Sequence, residues 1–204
     1  MYIPASFSER DAATLYAFMR VHNFAALVTA SETLMATHVP FLIDAERGVL
    51  RAHLARANPQ WKHFDGREAL VIFQGPHAYI SPTWYEVHPS VPTWNYTAVH
   101  VYGAPRIVAD EALLRRMLRE LVEQHERGRN PEWKMELPED YLRGMLKAVV
   151  GFELPVARIE GKYKLSQNRS DTDVDGVIAA LAGSLAAADR EVGALMAGRR
   201  AAPK

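Results

Sequence analysis

Three stretches of this sequence place charged, amide or aromatic side chains where the end of a strand would ordinarily be plain. In HLARANPQWK, residues 53–62, Arg56, Asn58 and Lys62 lie just beyond a strand-like run. Arginine brings a planar fork of donors, lysine a point charge, and the backbone after Asn58 can add N–H groups. Convergent donors of this kind are what a phosphate monoester needs. The same residues also suit a solvated basic turn. The second stretch, QGPHAYISPTWYEVHPSVPTWNY at 74–96, is dense in prolines, histidines and aromatics. Tyr79, Trp84, Tyr85, Trp94 and Tyr96 offer flat faces with polar edges on a chain stiffened by proline, able to wall a planar heterocycle or simply to cover a barrel end. The third, GKYKLSQNRS at 161–170, crowds Lys162, Lys164, Gln167, Asn168 and Arg169 into a short polar segment. Amides can read the donor–acceptor edge of a heterocycle such as flavin. Ordinary helix capping by Ser170 or Asp171 explains part of the same pattern.

No nucleophile elbow, HExxH, phosphate loop or dinucleotide fingerprint occurs, so no catalytic residue is nominated. The 204 residues contain no cysteine, which excludes disulfides, thiolate metal sites and a cysteine nucleophile and suits a reducing cytoplasm. The eight histidines lack metal-ligand spacing, and no metal is expected. Twenty-four basic residues balance twenty-four acidic ones, so no global field draws the chain to nucleic acid. The opening residues lack the basic-then-apolar order of a secretory signal, and no apolar run approaches a membrane span.

The elements that must position these stretches follow from periodicity. Helical spacing of Leu15, Phe18, Met19 and His22 predicts a helix over 8–22. Runs at 24–30, 34–43 and 49–56, separated by short polar turns, predict an antiparallel meander. A turn or short helix is expected at NPQWKHF, a strand at 69–75, and a long strand at 94–108 bent near Gly103 and Pro105. Helices are expected over 110–128 and 137–148, the latter with Pro138 at its first position. A strand follows at 150–159, with Val150, Phe152, Leu154 and Val156 on one face, then a polar loop at 161–170. One long amphipathic helix is expected over 171–199, and the final AAPK is expected to fray. The fold class is mainly β with peripheral helices (α+β): a split, antiparallel β-barrel over 1–170, with inserted helices at about 110–148. The C-terminal helix of 171–204 packs on that domain or on a dimer partner.

Together, MYIPASF, ATHVPF, HLARANPQWK, VIFQGPHAYISPTWY, VPTWNYTAVHVYG, VGFELP, EGKYKLSQNRS and DVDGVI resemble the PaiB-like, FMN-binding negative transcriptional regulator family. These segments run in order from residue 1 to about 181. The resemblance implies a split barrel related to flavin reductases and pyridoxamine phosphate oxidases, a homodimer, and FMN at its interface. It implies that Arg56 and Lys62, with Asn58 beside them, hold the phosphate. Thr37, His38 and Val39 would run along the flavin ring, and Gln74 would end a strand with a ring-contacting amide. Trp94 and Asn95 match contacts donated across the dimer, and Gln167 and Arg169 a C-terminal contact. The substrate-binding ending of the pyridoxamine phosphate oxidases is missing, so that reaction is not expected.

Three functions compete. One is a cytoplasmic FMN-binding regulator that represses transcription through a bound flavin or small molecule. The second is a flavin-reductase-like oxidoreductase with no DNA role. The third is a haem-binding or haem-degrading barrel, for which His38, His53, His77 and His100 are candidate ligands. No helix-turn-helix is evident. The basic stretch 190–200 could touch DNA, although Arg199 and Arg200 are equally a helix end favoured by the dipole.

Overall fold

The computed structural model describes residues 1–201. In chain order it has β1 (Ser8–Glu9), α1 (Ala12–Val21), β2 (Phe24–Ala30), β3 (Leu34–Pro40), β4 (Leu42–Asp44) and β5 (Val49–Ala55). β6 (Ala69–Ile80), β7 (Thr93–Gly103), β8 (Arg106–Ile107), α2 (Glu111–Glu126), α3 (Glu139–Lys147) and β9 (Val149–Pro155) follow. β10 (Arg158–Lys164), α4 (Asp171–Ala182) and α5 (Ala187–Ala201) complete it. Short 3-10 turns lie at Ala5–Phe7, Pro59–His63 and Pro82–Trp84. The strands form two sheets, in the orders β1-β10-β7-β6-β2-β3 and β4-β5-β9-β8.

Several expected elements divide. The run 34–43 breaks at Phe41: β3 pairs with β2, while β4 pairs with β5 in the other sheet. Phe41 is fully buried at the crossing and packs its ring on Phe73 and Phe152, at 5.7 and 6.1 Å between centroids. The expected strand 94–108 stops at Gly103 and resumes as β8 after Pro105, a residue that lacks the N–H a ladder requires. The run 150–159 is two strands, and β10 extends into the expected polar loop, so Lys162 and Lys164 stand on a strand. The helix expected over 8–22 begins only at Ala12, because Ser8 and Glu9 pair with Lys162 and Gly161. The helix expected over 171–199 is two helices, broken after Gly183; in the turn between them Ser184 Oγ accepts the Ala186 N–H. Pro138 caps α3 rather than opening it. The expected fraying of AAPK falls largely on residues outside those described.

The chain separates into two compact units. Unit 1 is Met1–Leu15, Gln74–Val99 and Glu160–Lys204; its buried side chains include Ile80, Val99, Leu165, Val177, Leu181 and Val192. Unit 2 is Tyr16–Phe73 and His100–Ile159, with Leu27, Phe41, Leu50, Leu54, Val71, Phe152 and Leu154 at its centre. The inserted helices close a satellite core of Leu114, Leu142 and Leu146 within unit 2. Gly151 of β9 admits that packing: a Cβ there would lie 2.5 Å from the Leu114 side chain.

Candidate functional site

The turn after β5 is built from the sequence outward. Asn58 caps the 3-10 turn Pro59–His63, its Oδ1 accepting the Gln60 N–H at 3.0 Å, and its Nδ2 donates to Thr37 Oγ1 of β3 at 2.9 Å. Thus Thr37 and Asn58, both nominated from sequence, meet. Arg56 is exposed, and its guanidinium is oriented by two main-chain carbonyls, Nε to Lys147 O at 2.6 Å and Nη2 to Val149 O at 2.8 Å. Nη1 has no protein partner among the described residues. Lys62 is exposed, its ammonium 5.9 Å from the centre of the Trp61 ring. β3 ends its sheet, so one side of its backbone is not laddered. Val39 is buried in the core, and His38 is exposed and stacked on Phe24, centroids 6.0 Å apart.

Gln60 was not singled out from sequence, yet it organises this turn. It is fully buried, and Nε2 lies 2.9 Å from Leu27 O, 3.1 Å from Met35 O and 3.2 Å from Thr29 Oγ1. It thereby ties the turn to both β2 and β3. Nothing in the letter sequence separates it from an exposed glutamine; its burial comes from the strands folding over the turn.

In unit 1, Gln74 and Trp94 are exposed, and Trp94 packs with His77 and Tyr79 at 6.1 and 5.9 Å between ring centres. Asn95 faces inward and is fully buried, its Nδ2 donating to Ser166 Oγ at 2.9 Å. Gln167 closes its own turn, accepting the Leu165 N–H at 2.7 Å. Arg169 donates to Ser90 Oγ at 3.1 Å and lies over the Tyr85 ring at 4.2 Å. Asp173, also missed in sequence, is buried and accepts the N–H groups of Glu86 and Val87 at 2.9 and 3.2 Å. Desolvation raises its carboxyl, but the N–H groups of Val87 and Glu86, Ser170 and the nearby Arg169 charge outweigh that and hold it below its ordinary value. The nominated residues therefore form two groups, one in each unit.

Of the four histidines weighed as haem ligands, His38 and His77 are exposed and His53 is held below its ordinary pKa by desolvation. His100 packs on Tyr102 at 6.4 Å between centroids. Among the described residues no group of three His, Asp or Glu side chains could hold a metal ion, and no helix is long and apolar enough to cross a membrane.

Residues 1–158 match the family described as "Putative FMN-binding domain", and the chain belongs to that family. Its type is that of PaiB: the chain is 40% identical over 183 residues to "Protease synthase and sporulation protein PAI 2" of Bacillus subtilis, spanning 87% of each. It is 32% identical over 223 residues to an uncharacterized protein of Emericella nidulans, spanning 87% of this chain and 89% of that one. Among solved structures, it is similar to the FAD and heme binding protein from Mycobacterium smegmatis, with a TM-score of 0.63 at 16% identity. That likeness spans 82% of this chain and 78% of the other. The flavocytochrome Anf3 from Azotobacter vinelandii gives a TM-score of 0.62 at 15% identity, over 77% of this chain and 69% of that one. At these identities the likeness establishes the fold, which is the split barrel expected from sequence.

Proposed function

We propose that this protein is a cytoplasmic FMN-binding protein acting as a homodimer, and that any effect on transcription passes through the bound flavin or a small molecule. The observation that carries the flavin reading is the turn of Arg56, Asn58 and Lys62 beside the open edge of β3. Two carbonyls fix the Arg56 guanidinium, leaving Nη1 for a phosphate oxygen, and Lys62 adds an exposed charge. The Asn58 amide fixes the Thr37 hydroxyl oxygen, whose hydrogen is then directed elsewhere. These donors fit a phosphate monoester, and the main chain of residues 37–39 fits the polar edge of an isoalloxazine. Gln74, Trp94, Asn95, Gln167 and Arg169 are the further contacts that the family resemblance implies. FMN, when bound, supplies hydride or single-electron chemistry; the chain's part is to hold and orient it.

The reading against direct DNA binding rests on the C-terminal cations. Arg199 pairs with Glu9 and lies over Tyr163, and Arg200 pairs with Asp171 and Asp175. With a formal net charge of zero, no global field draws the chain to nucleic acid. Flavin-dependent reduction of a small molecule, without a role in transcription, is the alternative within the same reading.

Titration of the purified chain with FMN, followed by flavin fluorescence, tests the proposal. Saturable binding is expected in the wild type. An Arg56→Ala, Lys62→Ala double variant should bind at least about tenfold more weakly, since each contact is a charge-assisted hydrogen bond. Equal binding by the two proteins would move the phosphate elsewhere, and no binding by either would remove the flavin. Salt-sensitive retention on promoter DNA would overturn the indirect route, and a Soret shift on haem addition would favour the third function.

A further inference from the structure

Arg56 serves the inserted helices as well as the turn after β5. In the ladder of β5 with β9 the last pair is Ala55 with Val149, so Arg56 comes next to the point where α3 ends. α3 runs straight into β9: Ala148 caps it in a right-handed helical conformation, and no glycine turns the chain back over its last carbonyls. A helix end leaves such carbonyls without an intrahelical partner. Here Arg56 supplies the donors. Its main-chain N–H donates to Ala148 O at 2.8 Å, its Nε to Lys147 O at 2.6 Å and its Nη2 to Val149 O at 2.8 Å.

Nε and Nη2 form one edge of the guanidinium, and the end of α3 occupies that edge. The other edge, Nη1 with the second hydrogen of Nη2, is the one left to a phosphate. The group is planar and rigid, so anchoring one edge sets the direction of the other. α3 itself has nine residues, too few to be a stable helix alone. Leu142 and Leu146 join Leu114 of α2 in the satellite core, and Arg115 of α2 grips Glu139 in the first turn of α3 with bonds of 2.8 and 2.7 Å. Arg56 joins the other end of this packed pair to the candidate phosphate turn.

We infer that the end of α3 is a positioning element for the phosphate donor, and that phosphate on the turn and order in α3 stabilise each other. The inference rests on the flavin reading proposed above and adds a regulation of that site: the inserted helices respond to the phosphate of FMN. Helix end and phosphate order the same guanidinium, so whichever contact forms first lowers the ordering cost of the other. The cation also lies between the phosphate and the electronegative end of the helix, which would otherwise repel each other. The linkage is reciprocal: phosphate steadies α3, and a steady α3 favours phosphate.

Hydrogen–deuterium exchange of the full-length protein, read over residues 139–149, tests it. Saturating FMN should slow exchange there about fivefold or more. Riboflavin, which lacks the phosphate, should give no such slowing at any concentration. In the flavin-free protein, Arg56→Lys keeps the charge, loses the fork and should hasten exchange over the same residues. Gly144→Pro removes a main-chain donor inside α3 and leaves Arg56, Asn58 and Lys62 in place. It should weaken FMN binding about fivefold or more, yet change nothing further when added to Arg56→Lys. Two losses through one link do not add, whereas a general disturbance of the fold does. Exchange unchanged by FMN, or slowed as much by riboflavin, would overturn the link. So would unchanged exchange in flavin-free Arg56→Lys, or additive losses in the double variant. If FMN still binds and still needs Arg56 and Lys62, such a result removes only this link; absence of FMN binding removes the flavin reading and the link with it.

Discussion

At the scale of single residues, the stability of the turn after β5 rests on Gln60, a buried amide whose donors serve carbonyls of two strands. Replacing it with leucine keeps the volume and leaves those acceptors without their side-chain donor. Gln60→Leu should lower the unfolding free energy by about 2 kcal/mol, read from urea denaturation, and Gln60→Glu should cost more, because a carboxylate would face carbonyl oxygens. An equal loss in both variants would mean that packing, not hydrogen bonding, sets the requirement. His53 offers a second test. Desolvation in β5 lowers its pKa below the ordinary 6.5, so the unfolded chain takes up its proton first. The neutral ring's contribution is complete above the unfolded value and declines as pH falls below it toward the folded value. The urea midpoint should therefore drop as pH falls below about 6.5, and His53→Gln should flatten that slope. An unchanged slope in the variant would assign the dependence to other groups.

At the scale of elements, α4 meets the segment after Pro82 at a distance that only glycine allows. A Cβ on Gly176 would stand 2.3 Å from Trp84 O, and Asp173, one turn earlier, accepts the N–H groups of Glu86 and Val87 in the same segment. Gly176→Ala must push α4 away and stretch both bonds. A loss of about 1–3 kcal/mol is expected, the usual cost of overpacking, and wild-type stability in a melting experiment would show that the segment yields freely. No sequence pattern announces this contact. What periodicity does reveal is alternation, and it correctly makes Val150, Phe152 and Leu154 one buried face of β9. Periodicity is silent about where a run changes sheets. The break at Phe41 falls inside a continuous apolar stretch, and the extension of β10 through Lys162 and Lys164 runs through charges. There, pairing with Ser8 and Glu9 and cover from Tyr2 and Tyr96, whose rings lie 5.6 and 5.2 Å from Lys162 Nζ, override the polar appearance. The candidate phosphate turn was legible because Arg56, Asn58 and Lys62 are close in sequence. The pairing of Asn95 with Ser166 in unit 1 was not, because it joins segments about seventy residues apart.

At the scale of the whole molecule, the question is what covers the outer face of the β2–β3 hairpin. Ala25, Leu27 and Thr29 point into the core, so Phe24, Ala26, Val28 and Ala30 point out. Their cross-strand partners Pro40, His38, Ala36 and Leu34 share that outer side. The face is almost wholly apolar, and Phe24 and Leu34 are 66% and 77% exposed. A surface of that kind on a chain of zero net charge favours self-association, and a second copy supplies an identical apolar face in a closed two-fold arrangement. Sedimentation velocity at micromolar concentration should therefore find a dimer. Phe24→Glu with Leu34→Glu should give a folded monomer with an unchanged far-UV spectrum, since neither side chain is part of the core. β3 also carries Thr37, so a flavin held against this strand would lie beside the second copy. If that placement is right, the monomeric double variant should lose FMN affinity together with its partner, although Arg56, Asn58 and Lys62 are untouched. A monomeric wild type would remove the dimer. A monomeric variant that binds FMN as tightly as the parent would confine the flavin to a single chain.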